Sequence, residues 1–274
     1  MEPTIYSMPD EIMMKIFSFL PSDQLIRNVP RVCKRWRNIA SEKSLIKSLV
    51  FENVSNYRIV LRLIRKYCRI KNIILDSQVQ NSNIFSFLGK NCPNLEKCQL
   101  RYYGDLAPPK VEGFVNGCRK MEHFQLFIAN NSDDIFETQM DDFFISLTSL
   151  ENLRVFEIVI KHVPLTCSDL ETIFSKCKKL KYLFLSSIDL NSDGLHNNEE
   201  FTNSSLKVFG SRSESFDFAV VELITFCKNL EFLWIDSKRL AIAYGNIHWF
   251  LNFPRLKALM MPFAFIDENI FDCH

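Results

Sequence analysis

The sequence predicts an α/β solenoid of strand–turn–helix units preceded by a short module of three helices. Three observations carry this. An apolar triplet of the form L-x-x-L-x-L recurs down most of the chain, segments of helical spacing lie between its copies, and the residues before position 46 have helical spacing but no triplet.

Taken in order, Ser7-Met8-Pro9-Asp10 reads as a helix start, with Ser7 as cap, Pro9 in the first turn and Asp10 as the return carboxylate. Ile12/Ile16/Phe19 and Met13/Phe17/Leu20 then form a wide apolar face, stopped by Pro21. Ser22 is placed to cap a second short helix running through Leu25 and Val29, which Pro30 is expected to end. A third helix puts Val32/Trp36/Ile39 and Cys33/Ala40 on one side and Lys34, Arg35, Arg37 and Asn38 on the other. So small a module buries too little surface to be robust alone, and it is expected to lean on the repeats or on a partner.

The first anchors of the triplets fall at 46, 70, 95, 121, 153, 180, 206, 230 and 256, a mean step of about 26 residues. Units this short bury their apolar face only against the next unit, so they stack. The clearest copies have cysteine three residues upstream: Cys92/Leu95/Cys98/Leu100, Cys118/Met121/Phe124/Leu126, Cys177/Leu180/Leu183/Leu185 and Cys227/Leu230/Leu233/Ile235. Ile84/Phe87/Leu88, Leu170/Ile173/Phe174 and Val220/Leu223/Ile224 supply the helices between them, and Tyr57 to Lys66 is the first of these. The longest step, 32, marks a loop insertion near 128–140, with Asn130 to Asp134 as its polar stretch. Of these four cysteines, Cys92 and Cys118 fall on adjacent units at a bridgeable spacing while Cys177 and Cys227 are two coils apart, and all are read as small buried hydrophobes rather than as disulfides or metal ligands.

Composition narrows the function. Seven glycines in 274 residues compare with a usual share of about 7%, and they form no G-x-G-x-x-G, G-x-x-x-x-G-K-[ST] or G-x-S-x-G. There is no H-E-x-x-H either, and the five histidines have no ligand-spaced partner, so no catalytic residue, metal site or cofactor is expected. Thirty-three cations against 32 anions leave a formal charge of +1, too little long-range field to gather nucleic acid or an anionic membrane. The longest apolar run, Ala258 to Ile266, is interrupted by Pro262 and is far short of a bilayer span. Without a basic leader or a C-x-x-C pair, a reduced cytoplasmic or nuclear setting is expected for the nine cysteines.

Two resemblances now attach to these residues. Met8-Pro9-Asp10-Glu11-Ile12, Ile16-Phe17-Ser18-Phe19-Leu20, Leu25 and Val32-Cys33-Lys34-Arg35-Trp36 resemble an F-box, with methionine where that family prefers leucine. The triplets resemble cysteine-containing leucine-rich repeats, whose strands line the concave face of a horseshoe. They depart from that family three positions after the last anchor, where Gln78, Tyr103, Ala129, Lys161, Ile188 and Lys238 replace cysteine or asparagine. The division expected is an F-box over 5–48 and about eight to nine repeats over 49–274, ending at Ala264 to His274 in either a cap or the opening of another repeat. An F-box followed by such repeats is the layout of substrate receptors of SCF ubiquitin ligases. The resemblance implies a non-catalytic receptor in which Met8, Pro9, Ile12, Ile16, Leu20, Leu25, Val32 and Trp36 dock on an SKP-family adaptor, and through it on a cullin scaffold. The alternative is a non-catalytic interaction or inhibitor solenoid whose N-terminal helices are only a cap. An enzyme built on His123, Glu157 or Asp236 has no recognised spacing behind it.

The strand period of two assigns the face that would read a protein target. Its columns run Lys97/Gln99/Arg101, His123/Gln125/Phe127, Val155/Glu157/Val159, Tyr182/Phe184/Ser186, Val208/Gly210/Arg212, Phe232/Trp234/Asp236 and Ala258/Met260/Pro262. The substrate-binding residues expected are Tyr182, Phe184, Arg212, Phe232 and Trp234, with room around Gly210 and Trp234 as the anchor.

Overall fold

The computed structural model describes residues 5–52, 54, 56–79, 83–102, 108–128, 143–191, 203–213, 218–237 and 252–262. Three short helices, α1 (Asp10–Phe17), α2 (Ser22–Arg27) and α3 (Lys34–Ala40), precede a parallel sheet whose nine strands pair in chain order. The strands are β1 (Ser48–Glu52), β2 (Asn72–Val79), β3 (Lys97–Tyr102), β4 (His123–Ile128), β5 (Val155–Thr166), β6 (Tyr182–Asn191), β7 (Val208–Ser213), β8 (Phe232–Ser237) and β9 (Ala258–Met260). Returning helices are α4 (Tyr57–Lys66), α5 (Asn83–Asn91), α6 (Pro108–Gly117), α7 (143–147), α8 (Cys167–Lys176) and α9 (Phe218–Thr225). Strand order without crossover is what stacking of like units demands.

One contact repeats along the stack. The carbonyl before each strand accepts two amide N–H groups of the next coil: Lys71 and Asn72 donate to Lys47, Glu96 and Lys97 to Lys71, and so on to Lys257 and Ala258 on Glu231. Triplet anchors of every unit are buried from Ile46, Leu49 and Phe51 through Leu230, Leu233 and Ile235. Phenylalanine fills the space between sheet and helices. Tyr102, Phe85, Phe114, Phe124 and Phe156 form a continuous run of rings with centroids 5.5, 5.9, 5.5 and 6.0 Å apart.

The cysteines sit in this core as expected. Cys92, Cys98, Cys118, Cys177 and Cys227 are free and buried, and the Cys118 thiol donates to the Cys92 carbonyl of the preceding unit at 3.6 Å. Burial pushes the thiols of Cys92, Cys118, Cys177 and Cys227 up to about 12, and that of Cys98 well above its ordinary value. Since the thiolate is the reactive form, these five are expected to stay unlabelled by an alkylating reagent at pH 8 over a period that labels all nine in denaturant. Rapid native-state labelling of any of the five, located by peptide mass mapping, would show that the core of its repeat opens.

In the seventh unit, which lacks the upstream cysteine, a buried Asn203 takes its place. Its amide donates to the carbonyls of Phe174 and Cys177 at 3.1 and 3.2 Å, and its side-chain oxygen accepts from the amides of Ser205 and Leu206 at 3.0 and 3.1 Å. One side chain thus satisfies four backbone groups that burial would otherwise strand.

The expected caps change. Pro9 and Pro21 occupy the N-cap positions of α1 and α2 with no side-chain cap hydrogen bond, and Asp10 is drawn away by Arg35. Pro30 does not end a helix; it lies inside a 3-10 turn, Val29–Arg31, between α2 and α3. Side-chain caps occur instead at Asn56 of α4 and in a reciprocal Thr166/Asp169 capping box on α8. The insertion stretch Asn130 to Asp134, the side chains three positions past each last anchor and the end of the chain from residue 263 lie outside the described residues.

Candidate functional site

Two surfaces hold the residues singled out by sequence. In the N-terminal module the apolar residues of α1 exceed what one helix face can bury, so they divide. Met13 and Phe17 turn inward onto Leu25, Val29, Ile39 and Ala40, while Ile12, Ile16 and Leu20 stay exposed. Phe17 packs edge-on against Trp36 at 5.2 Å and 71°. Phe19, just past the helix end, is 76% exposed with Lys15 5.6 Å from its ring centre, and Val32 before α3 is 53% exposed. Arg35 fastens α3 to the start of α1: its guanidinium lies 2.6 Å from Asp10 and also donates to the Met8 carbonyl.

Of the eight residues expected at the adaptor, Pro9, Ile12, Ile16, Leu20 and Val32 are therefore exposed, and Met8 and Trp36 are half-buried. Leu25 is a correction. At 1% exposure it is a core residue of the module, buried in the apolar core that also holds Met13, Phe17 and Val29. Phe19, not in that set, is the most exposed large apolar residue of the module among the described residues. It belonged to the apolar face by helical spacing, but α1 ends at Phe17 with Ser18 as C-cap, and the chain turns it outward.

On the sheet, the strand pairing reproduces the columns read from the sequence. Tyr182, Val208 and Phe232 stand side by side on β6–β8, as do Phe184, Gly210 and Trp234, and then Ser186, Arg212 and Asp236. Phe184 and Trp234 stack over Gly210 with centroids 5.0 Å apart and planes 10° apart. A Cβ at Gly210 would lie 2.5 Å from Phe184 Cδ2 and 3.3 Å from Trp234 Cε3. The room expected around Gly210 is filled by the rings that its missing side chain admits. Arg212 lies 5.3 Å from the centre of the Trp234 ring and donates to Asp236 at 2.8 Å, so Trp234 is held from two sides.

Toward β3–β5 the face turns polar. Gln125 donates to Glu157 at 2.7 Å, and Gln99, Arg101, Gln125, Phe127 and Glu157 border a cavity of about 140 Å³. Burial and the neighbouring Lys97 lower the His123 pKa. No hydrogen bond among the described residues joins His123, Glu157 and Asp236, and no group of three or more metal-ligating side chains occurs among them. No helix of the described residues is long and apolar enough to cross a membrane.

Comparison with known proteins agrees with both halves. Residues 5–52 match the F-box-like family. F-box/LRR-repeat protein 12 of Mus musculus and of Homo sapiens are each 24% identical over 133 residues, 43% of this chain and 39% of the relative; the chain thus spans about two fifths of the curated relatives it matches. An internalin C2 from Listeria monocytogenes superposes with a TM-score of 0.53 over 90% of this chain and 96% of its own, at 14% identity, a likeness of fold alone. The chain carries an F-box-like domain followed by a leucine-rich-repeat solenoid, the two-part layout of an F-box protein with leucine-rich repeats.

Proposed function

We propose that this chain is the substrate-recognition subunit of an SCF-type ubiquitin ligase. The F-box holds an SKP-family adaptor and through it a cullin scaffold, the open face of the sheet holds a target protein, and a separate enzyme delivers ubiquitin. The chain itself performs no chemistry. It raises the effective concentration of the conjugating enzyme at the target, in the cytoplasm or the nucleus. The division between the two parts is taken at 5–48 and 49–274, within one residue of the start of β1, a paired strand of the sheet.

The observation that carries this reading is the unburied apolar face of Ile12, Ile16, Phe19, Leu20 and Val32 on a module whose core is complete without it. Titration of the full chain with a purified SKP-family adaptor tests it. Wild type is expected to bind below micromolar, and a Pro9→Ala/Leu20→Ala variant to lose about tenfold or more while remaining folded. A folded wild-type chain that does not bind would reduce the helices to a cap and leave an interaction solenoid. For the second surface, Trp234→Ala is expected to lose target capture and keep adaptor binding. Unchanged capture by the folded variant would remove the target from this face.

A further inference from the structure

The aromatic residues of β6–β8 form two pairs, and only one of them is closed. Strands two apart in a sheet are separated by about 10 Å. Phe184 and Trp234 close that distance by leaning together over Gly210. One register step earlier, Tyr182 and Phe232 have Val208 between them, so the same closure is blocked. Each ring is 45% exposed, and no ring contact joins them among the described residues. The spacing of about 10 Å between their strands leaves room between the two rings for one apolar side chain, which needs contacts of about 3.5–4.0 Å on either side. The result is a slot with Val208 as floor and the closed Phe184/Trp234 stack as end wall.

Charge lies along the other end of the slot. The residue just before each strand forms its own row, brought into line by the shared carbonyl: Arg154, Lys181, Lys207, Glu231 and Lys257. Lys207 and Lys257 share Glu231 at 2.7 and 2.6 Å, and their hydrogen bonds hold its carboxyl down to about 2. Arg154 reaches Glu122 at 3.7 Å. Lys181, exposed between two cations, is ion-paired with no described residue. Of the acids nearest the slot, Asp236 is ion-paired with Arg212, whereas Glu157, in register with Phe184, accepts only from the neutral Gln125 and keeps its charge at the far end, beyond the ring stack. Among the described residues, a cation without an ion pair, Lys181, therefore borders the near end of the apolar slot.

We propose that this slot takes a short acidic peptide segment of the target, inserting one apolar side chain between Tyr182 and Phe232 while neighbouring carboxylates meet Lys181 and its row. This rests on the reading of the open face as target-binding and names the class of target it fits. Attraction to the row steers and orients the segment, and the slot supplies the apolar contact.

The test uses the full chain and three fluorescein-labelled nine-residue peptides followed by anisotropy: one with a central leucine among aspartate and glutamate, one with the acids replaced by glutamine, and one with the leucine replaced by serine. The acidic leucine peptide is expected to bind about tenfold tighter than either of the others. Lys181→Glu is expected to erase the difference between acidic and neutral peptides, and Tyr182→Ala to erase that between leucine and serine, with melting temperature and adaptor binding unchanged in both. Binding that depends on the leucine but ignores the acids and Lys181 overturns the acidic class and leaves a target-binding face. Binding of no peptide by a folded chain overturns the slot, and adaptor titration of the same sample shows separately whether the receptor reading stands.

Discussion

Gly89→Ala is expected to lower the stability of the whole chain by about 3 kcal/mol or more, at the upper end of what overpacking costs, whereas Gly113→Ala is expected to be neutral or mildly stabilising. Both glycines lie in helices, α5 and α6, where alanine is intrinsically better by about 0.5–1 kcal/mol. What separates them is what a Cβ would meet. At Gly89 it would overlap the Gly113 carbonyl oxygen and stand 2.9 Å from the Phe114 Cα; at Gly117 it would overlap the backbone of Gly89. These are backbone atoms, so nothing yields unless the two helices move apart. At Gly113 the nearest atom is the Ser86 hydroxyl at 4.0 Å. Because the helices rest on the ring run through Phe85 and Phe114, separating them also loosens the core between the third and fourth strands. Thermal unfolding followed by circular dichroism is expected to show a fall of roughly 6–12 °C for Gly89→Ala and none for Gly113→Ala. Equal melting temperatures would mean that α5 and α6 do not approach this closely.

That pair of glycines also shows where sequence reading stops. The repeat was legible because its signal is local: a triplet every 26 or so residues fixes the strand starts, and strands that stack without crossover inherit their register from that period. The columns of the open face followed directly, including the rows that hold Tyr182 and Trp234. Contacts between units carry no such period. Apart from Gly210, the scarce glycines carry in the sequence only the absence of phosphate loops, yet Gly89, Gly113 and Gly117 meet across two helices where no sequence pattern joins them. Asn203 escaped for the same reason, since it stands at the phase of a cysteine and its role appears only in four hydrogen bonds to two coils. Net charge was also misleading at this scale. A balance of +1 over the chain leaves room for Lys181, ion-paired with no described residue, beside an apolar slot, because the sum discards position. The space expected at Gly210 was wrong in sign: a glycine between aromatic residues on both neighbouring strands is where rings close, and the residue with a side chain, Val208, is where they stay open.

The largest effect on function is expected at Phe19, and it is opposed in kind to that at Leu25. Sequence resemblance put Leu25 among the adaptor-binding residues and left Phe19 out. The structure buries Leu25 at 1% and leaves Phe19 exposed at 76%. Phe19→Ala removes an aromatic ring that touches little of its own chain, so its stability is expected to change by no more than about 0.5 kcal/mol. In a complex that buries the ring, the same truncation is expected to weaken adaptor binding by about 2 kcal/mol or more, roughly thirtyfold. Leu25→Ala leaves a cavity among Met13, Phe17 and Val29 and is expected to cost about 2–5 kcal/mol of stability. Its folded fraction then binds the adaptor with wild-type affinity, because the exposed face is untouched. Calorimetric titration with the adaptor beside thermal unfolding separates the two: one variant moves the dissociation constant and the other the melting temperature. If Phe19→Ala bound as wild type while Leu25→Ala lost affinity at full folding, the exposed side of α1 would not be the docking face, and the module would meet its partner through the side that α2 now covers.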